Sequence, residues 1–180
     1  MRIIAGEWRG RKLLAPKGLA TRPTADRTRE TLFNILSSRF GSFDGLSVAD
    51  LFAGSGALGL EALSRGAADC LFVEEERAAL DAIRANVAAL DAGSRVVVQA
   101  GSVTQLAPAK RPRDLVLLDP PYDTGAGAVA LHRLLRLGWL DRSSLAVVET
   151  SRSERVEVRG FVIEDERNVG KARLTFLHPE

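Results

Sequence analysis

At 180 residues, with 46% hydrophobic and 27% charged side chains, the chain has the size and mix of one soluble domain that builds its core without metals or disulfides. One cysteine excludes an internal disulfide, two distant histidines argue against a zinc centre, and no apolar run is long enough to span a bilayer. The net charge of +2 hides an asymmetry, because residues 1–40 hold nine Lys/Arg against three acids (+6), leaving −4 for the other 140 residues. A basic arm on an acidic body suits a polyanionic partner. With no signal peptide in view, the expectation is a cytoplasmic protein.

Residues 1–14 set two short apolar runs around Gly6–Gly10, the pattern of a small β-hairpin with Trp8, Arg9, Arg11 and Lys12 at or near its turn. Arginine beside tryptophan suits RNA, through phosphate pairing and base stacking; the alternative is that Trp8 covers the edge of the core. A connector with Pro16, Gly18 and Pro23 leads to a helix capped by Thr24 or Asp26 and running to about Phe40. Leu32, Phe33, Leu36 and Phe40 form its apolar face, and its first turns carry Arg27 and Arg29.

From Ser47 strands and helices alternate. Strand Val48–Phe52, the turn Gly54–Gly56, helix 57–65 and strand Cys70–Val73, ending at Glu74, come first. Helix 76–91, with Leu80, Ile83, Val87 and Leu90 on one face, is followed by strand Val96–Val98, a short segment Ser102–Ala107 and strand Leu115–Leu118. Next come a helix over 126–138, with Val129, Leu134 and Leu137 inward, and strand Leu145–Val148. Val156, Val158, Phe161 and Ile163, ahead of alternating Ala172, Leu174 and Phe176, read as a closing antiparallel hairpin. Cys70 and Trp139 read as core, His132 and His178 as surface or satisfied residues. Apolar strands separated by helices give an α/β doubly wound, mostly parallel sheet with its ligand site at the carboxyl ends of the strands.

Two motifs fall at such ends. Gly54, Gly56 and Gly59 form G-x-G-x-x-G after the first strand, which lets the backbone turn sharply and approach a ligand at a helix N-terminus. Glu74, twenty residues after Gly54, can accept hydrogen bonds from ribose hydroxyls, so a nucleoside-containing cofactor is expected. A nicotinamide dinucleotide would bring its pyrophosphate close to Asp50, four residues before Gly54. S-adenosylmethionine brings an ammonium and a sulfonium, and Asp50 tips the choice toward it. In the second motif the strand Leu115–Leu118 runs into Asp119-Pro120-Pro121-Tyr122, a stiff turn that holds a carboxylate and a ring at the strand's mouth.

With these two motifs the chain resembles class I S-adenosylmethionine-dependent methyltransferases acting on exocyclic amino groups, whose motifs have the forms acid-x-[FG]-x-G-x-G and [DN]-P-P-[YF]. It is more closely similar to the RsmD family of bacterial 16S rRNA guanine-N2 methyltransferases. The likeness is carried by Arg2-Ile3-Ile4, Trp8-Arg9-Gly10-Arg11, Arg22-Pro23-Thr24, Asp26-Arg27, Arg29-Glu30, Leu32-Phe33-Asn34, the run from Phe52 to Arg65, and Asp119–Tyr122. It covers residues 1–140 strongly and the final hairpin weakly. The resemblance implies a seven-stranded sheet with a C-terminal antiparallel hairpin, in a single domain over 1–180. Residues 1–45 would be a basic RNA-binding hairpin-plus-helix extension and 46–180 the cofactor-binding and catalytic core. It implies S-adenosylmethionine on Asp50, Phe52, Ala53, Gly54, Ser55, Gly56, Glu74 and Ser102. Its partner would be 16S ribosomal RNA, within an assembling small subunit, met by Trp8, Arg9, Arg11, Lys12, Arg22, Arg27 and Arg29. Methylation of a guanine N2 would fall to Asp119, Pro120, Pro121 and Tyr122. No metal and no membrane enter this reading, and a monomer is expected.

Three positions depart from the pattern. Ser102 stands where many class I enzymes have an acid for the adenine amine, Val169-Gly170 where relatives often show Tyr-Gly, and Phe52 where the commonest pattern has its first glycine. Competing readings are an N6-adenine or protein glutamine methyltransferase with the same Asp-Pro-Pro-Tyr chemistry, a nicotinamide oxidoreductase, and a non-catalytic RNA-binding assembly factor.

Overall fold

A computed structural model describes residues 1–18 and 23–180. Arg22 and the side chain of Thr24 lie outside the described residues. The helices are α1 (Pro23–Phe40), α2 (Ala57–Ser64), α3 (Arg77–Ala89) and α4 (Ala126–Arg136), and the strands β1 (Ser47–Leu51), β2 (Asp69–Glu74), β3 (Val96–Ala100), β4 (Leu115–Leu118), β5 (Leu145–Ser151), β6 (Phe161–Val169) and β7 (Ala172–Pro179). They form one seven-stranded sheet in the order β3-β2-β1-β4-β5-β7-β6. The first five are parallel, and β7 runs antiparallel between β5 and β6.

β1 and β4 are buried along their whole length because helices cover both faces. On one face Val48, Leu115, Leu117 and Val147 pack under Leu32, Phe33 and Leu36 of α1, Leu60 and Leu63 of α2, and Ile83 of α3. On the other, Ala49, Leu51, Val116, Leu118 and Val148 meet Ala130, Leu131 and Leu134 of α4. Strand order reverses between β1 and β4, so a crevice opens beyond their carboxyl ends.

Two expectations change in detail. Val129 of α4 is not inward but 59% exposed. The inward row is Gly127, Ala130, Leu131 and Leu134, and two residues beyond Gly127 is about 200° around the helix. Gly127 belongs to that row because a Cβ there would lie 2.7 Å from Val148 Cγ1.

The N-terminal hairpin is reduced to a single antiparallel bridge, Arg2 with Lys12, flanked by Ile3 N–H to Arg11 O and Gly10 N–H to Ile3 O, each 2.9 Å. Its outer edge meets α2 instead of another strand. Ile4 and Ala5 N–H donate to the Glu61 carboxylate (2.8 and 3.1 Å), Trp8 N–H donates to Ser64 Oγ (3.0 Å), and Ser64 Oγ donates to Ala5 O (2.7 Å). Gly6, at φ +88°, lies so close that a Cβ would sit 1.9 Å from Ser64 O. Further along, Asn86 of α3 accepts from Leu14 N–H and donates to Leu14 O.

Candidate active site

At the end of β1 the chain turns through three left-handed residues, Phe52 (φ 58°), Gly54 (58°) and Gly56 (80°), the last being the cap of α2. Glycine adopts this conformation freely, whereas Phe52 is strained there, at a cost of roughly 1–3 kcal/mol. That strain explains why glycine is common at the position. In return the Phe52 ring becomes one wall of the cleft. Gly59 is required by close approach, since a Cβ would lie 2.5 Å from Phe72 Cε1 and 2.6 Å from Cys70 Sγ.

The same turn buries Asp50, which is 1% exposed. Its Oδ2 accepts the Gly59 N–H at 2.9 Å, but its buried Oδ1 has no hydrogen-bond partner. Burial pushes the carboxyl up to about 8, with repulsion from Glu74 adding and the Gly59 hydrogen bond opposing. Glu74, at the end of β2, shapes the loops as well as facing the cleft. Its Oε2 accepts Gly54 N–H at 2.7 Å and its Oε1 accepts Glu75 and Glu76 N–H at 2.9 and 3.0 Å. Ser102 is tied into a short turn, its hydroxyl accepting Thr104 N–H at 3.2 Å.

Asp119 follows β4, and its N–H donates to Leu51 O (3.3 Å), which pins the two strand ends together. The residue is open to the cleft, yet its carboxyl is largely surrounded by protein. Loss of bulk water, then the charges of Glu149 and Asp50, hold it well above the usual carboxylate range. Glu149, on β5, is raised by burial and eased by Tyr122, whose hydroxyl donates to Glu149 Oε1 at 2.9 Å. The loop after Tyr122 is clamped as well, because Glu154 accepts Asp123 N–H (2.6 Å) and Gly125 N–H (3.1 Å), and Ser151 Oγ donates to Asp123 Oδ1 (2.6 Å). The Pro-Pro pair is therefore one of two causes of rigidity.

Two cavities meet at Asp119. One, of about 310 Å³, is bounded by Asp50, Gly54, Ser55, Asp119 and Glu149 under α1. The other, of about 490 Å³, lies among Phe52, Glu74, Ser102, Asp119, Pro120 and Tyr122. Three acids with raised or unbalanced charge and one bare buried oxygen fit a ligand that carries positive charge. The second cavity, with a ring on one side and a carboxylate on the other, fits a nucleoside. S-adenosylmethionine matches both.

The residues expected to bind RNA divide. Arg9, Lys12 and Arg27 are exposed and make no ion pair among the described residues, and Arg11 is exposed with its guanidinium donating to Ala89 O at 2.6 Å. Trp8 and Arg29 are corrected to structural roles, being 7% and 5% exposed. Trp8 packs in the core with the Arg95 guanidinium 5.4 Å from its ring centroid, and Arg29 donates to Arg2 O between Asp26 and Glu61. Arg29 also lines the cavity that holds Asp50, Asp119 and Glu149. Glu149 and Glu154 were not anticipated. The available signal is that Glu149 directly follows the apolar run Leu145–Val148, as Asp119 follows Leu115–Leu118. No described helix is long and apolar enough to cross a membrane, and no described group of His, Cys, Asp or Glu is arranged to hold a metal ion.

Comparison with known proteins identifies the family. A family model described as "Conserved hypothetical protein 95" matches residues 1–178. "Ribosomal RNA small subunit methyltransferase D" of Escherichia coli is 44% identical over 150 residues, 83% of this chain and 74% of that protein. A solved structure titled "Putative methyltransferase yhhF" from Escherichia coli superposes with a TM-score of 0.85 at 38% identity, covering 100% of this chain and 98% of that one. Magnesium protoporphyrin IX methyltransferase from Synechocystis, with bound SAM, shares the fold alone: TM-score 0.65, 15% identity, 90% of this chain and 86% of that one. The chain belongs to the RsmD family.

Proposed function

We propose that this protein methylates the exocyclic N2 amine of a guanine in small-subunit (16S) ribosomal RNA, using S-adenosylmethionine, in the cytoplasm. The reading rests above all on the convergence of Asp50, Asp119 and Glu149 on one cavity that continues into a nucleoside-shaped one. Like charges gathered at strand ends are costly unless a cationic ligand relieves them. The name borne by the Escherichia coli relative supplies the RNA class.

Asp50 would face the cofactor's ammonium, Gly54–Gly56 its amino-acid end, and Glu74 its ribose, with Phe52 and Ser102 beside the adenine. When bound, S-adenosylmethionine supplies an already activated methyl group, so the protein needs no nucleophile of its own. Its residues orient the acceptor. The Asp119 carboxylate and the Pro120 carbonyl accept the two amine hydrogens, which favours a pyramidal nitrogen with its lone pair free for attack. Tyr122 stacks on the base, and the Pro-Pro pair with Glu154 holds these groups in register. Asp119 takes a proton that the nitrogen loses readily once alkylated, so it need not be a strong base. A paired base is out of reach, and the guanine must be unpaired or flipped. The exposed cations Arg9, Arg11, Lys12 and Arg27 supply phosphate contacts on the side of the N-terminal arm.

The test is methyl transfer from labelled S-adenosylmethionine to small-subunit particles from cells lacking this protein, followed by digestion to nucleosides. The expected product is N2-methylguanosine. Label in N6-methyladenosine would favour the adenine alternative, and an absence of label in RNA would contradict the proposal.

A further inference from the structure

We infer that Glu149 is a specificity-determining residue, whose carboxylate reads the N1–H of the target guanine beside Asp119. The inference rests on the guanine-methylating reading above and deepens it. Parallel β4 and β5 pair Leu118 with Val148, so Asp119 and Glu149 are the next residues on neighbouring strands. Both border the cavity that Asp50, with one buried oxygen lacking a hydrogen-bond partner, also lines. The Tyr122 hydroxyl occupies one oxygen of Glu149 and leaves the other to accept from a ligand.

Guanine is the base to which such a pair of acceptors is complementary. Its Watson–Crick edge presents N1–H next to the 2-amine, two adjacent donor groups facing two adjacent carboxylates. With Asp119 and the Pro120 carbonyl on the amine, Glu149 takes N1–H. Adenine would present a lone pair at N1, and a carboxylate there repels it. The hydrogen bond from Tyr122 to Glu149 then has a second use, since it fixes the carboxylate that reads the edge to the ring that stacks on the face.

The experiment compares RNA carrying guanine with RNA carrying 2-aminopurine at the methylated position. 2-Aminopurine keeps the amine but has an acceptor at N1. Wild-type protein is expected to prefer guanine by at least about a hundredfold in kcat/KM, because a site built to receive a hydrogen leaves a buried acceptor unpaired without it. Glu149→Gln can offer an amide N–H to the 2-aminopurine N1. It should lower guanine turnover and shrink the preference by about tenfold to a hundredfold. Tyr122→Phe removes the hydroxyl and leaves the carboxylate, so the preference should persist even where the rate falls. An unchanged preference in Glu149→Gln, with wild type still forming N2-methylguanosine, would overturn this inference alone. Failure of wild type to methylate the guanine RNA would overturn the underlying reading as well.

Discussion

Two groups of buried charge lie on the same side of the sheet, and they do opposite things. Around α2, Glu61 is fully buried but answered on every side. Arg65 Nε lies 3.0 Å and Arg29 Nε 4.0 Å from its oxygens, and two backbone N–H groups of the N-terminal arm donate to it. At the strand ends Asp50, Asp119 and Glu149 gather with no ion pair to a cation among the described residues; Arg29 lines the same cavity, but its guanidinium is paired with Asp26 and Glu61. A balanced, hydrogen-bonded cluster is a joint, and an unbalanced one is a site waiting for its counter-charge. The difference lies in the partners and not in the burial, so the two clusters should respond oppositely to substitution.

Glu61→Ala should be the most damaging change to stability. It takes the shared carboxylate away from two guanidinium groups and two N–H donors, which costs about 3–5 kcal/mol and loosens the arm. Equilibrium denaturation would show it, and a wild-type midpoint would mean that the cluster is not a joint. Asp119→Ala should leave the denaturation midpoint unchanged or higher, since a repelled acid is removed. Single-turnover methylation should fall by at least about 10²–10³-fold while cofactor binding is largely spared. Retained methylation would defeat the proposed hold on the amine. Tyr122→Ala should weaken RNA binding by the loss of one stacking platform, on the order of 1–3 kcal/mol, measured against a single-stranded target. Charge reversal at Arg9 and Arg11 should have the smallest effect, a uniform weakening with a flatter dependence on salt. An unchanged salt slope would remove the arm from the phosphate path.

Much of this was legible in the sequence, for physical reasons. The parallel strands are continuous apolar runs, and the glycine turn combines spacing, strand context and a distal acid, so both could be located by residue number. Burial was harder to read. Arg29 and Trp8 counted toward a basic, aromatic arm, yet composition does not reveal that Glu61, in the middle of an apolar helix, draws the arm inward. The inward face of α4 is hidden in the sequence because its row begins at Gly127, which shows no apolar side chain. Glu149 carries no motif and gains meaning only when β5 is placed beside β4. The long match from Phe52 to Arg65 holds both kinds of information, with Gly54, Gly56 and Gly59 building the cleft and Glu61, Ser64 and Arg65 building the joint.

Asp50 tests the contrast most directly, because its charge depends on whether the counter-charge is present. The folded protein holds a proton on Asp50 up to about pH 8, whereas the unfolded chain releases it in the ordinary carboxylate range. This group therefore lowers stability as pH rises through that window, and Asp50→Asn should remove the loss. A cation bound at Asp50 favours the ionised form, so binding should expel the proton. Calorimetric titration with S-adenosylmethionine from pH 6 to 7.5, in buffers of different ionisation enthalpy, is the decisive measurement. Proton release is expected, with an affinity that rises with pH by up to about tenfold per unit, both absent in Asp50→Asn. Binding of equal strength across that range, without proton release and unaffected by the substitution, would contradict it.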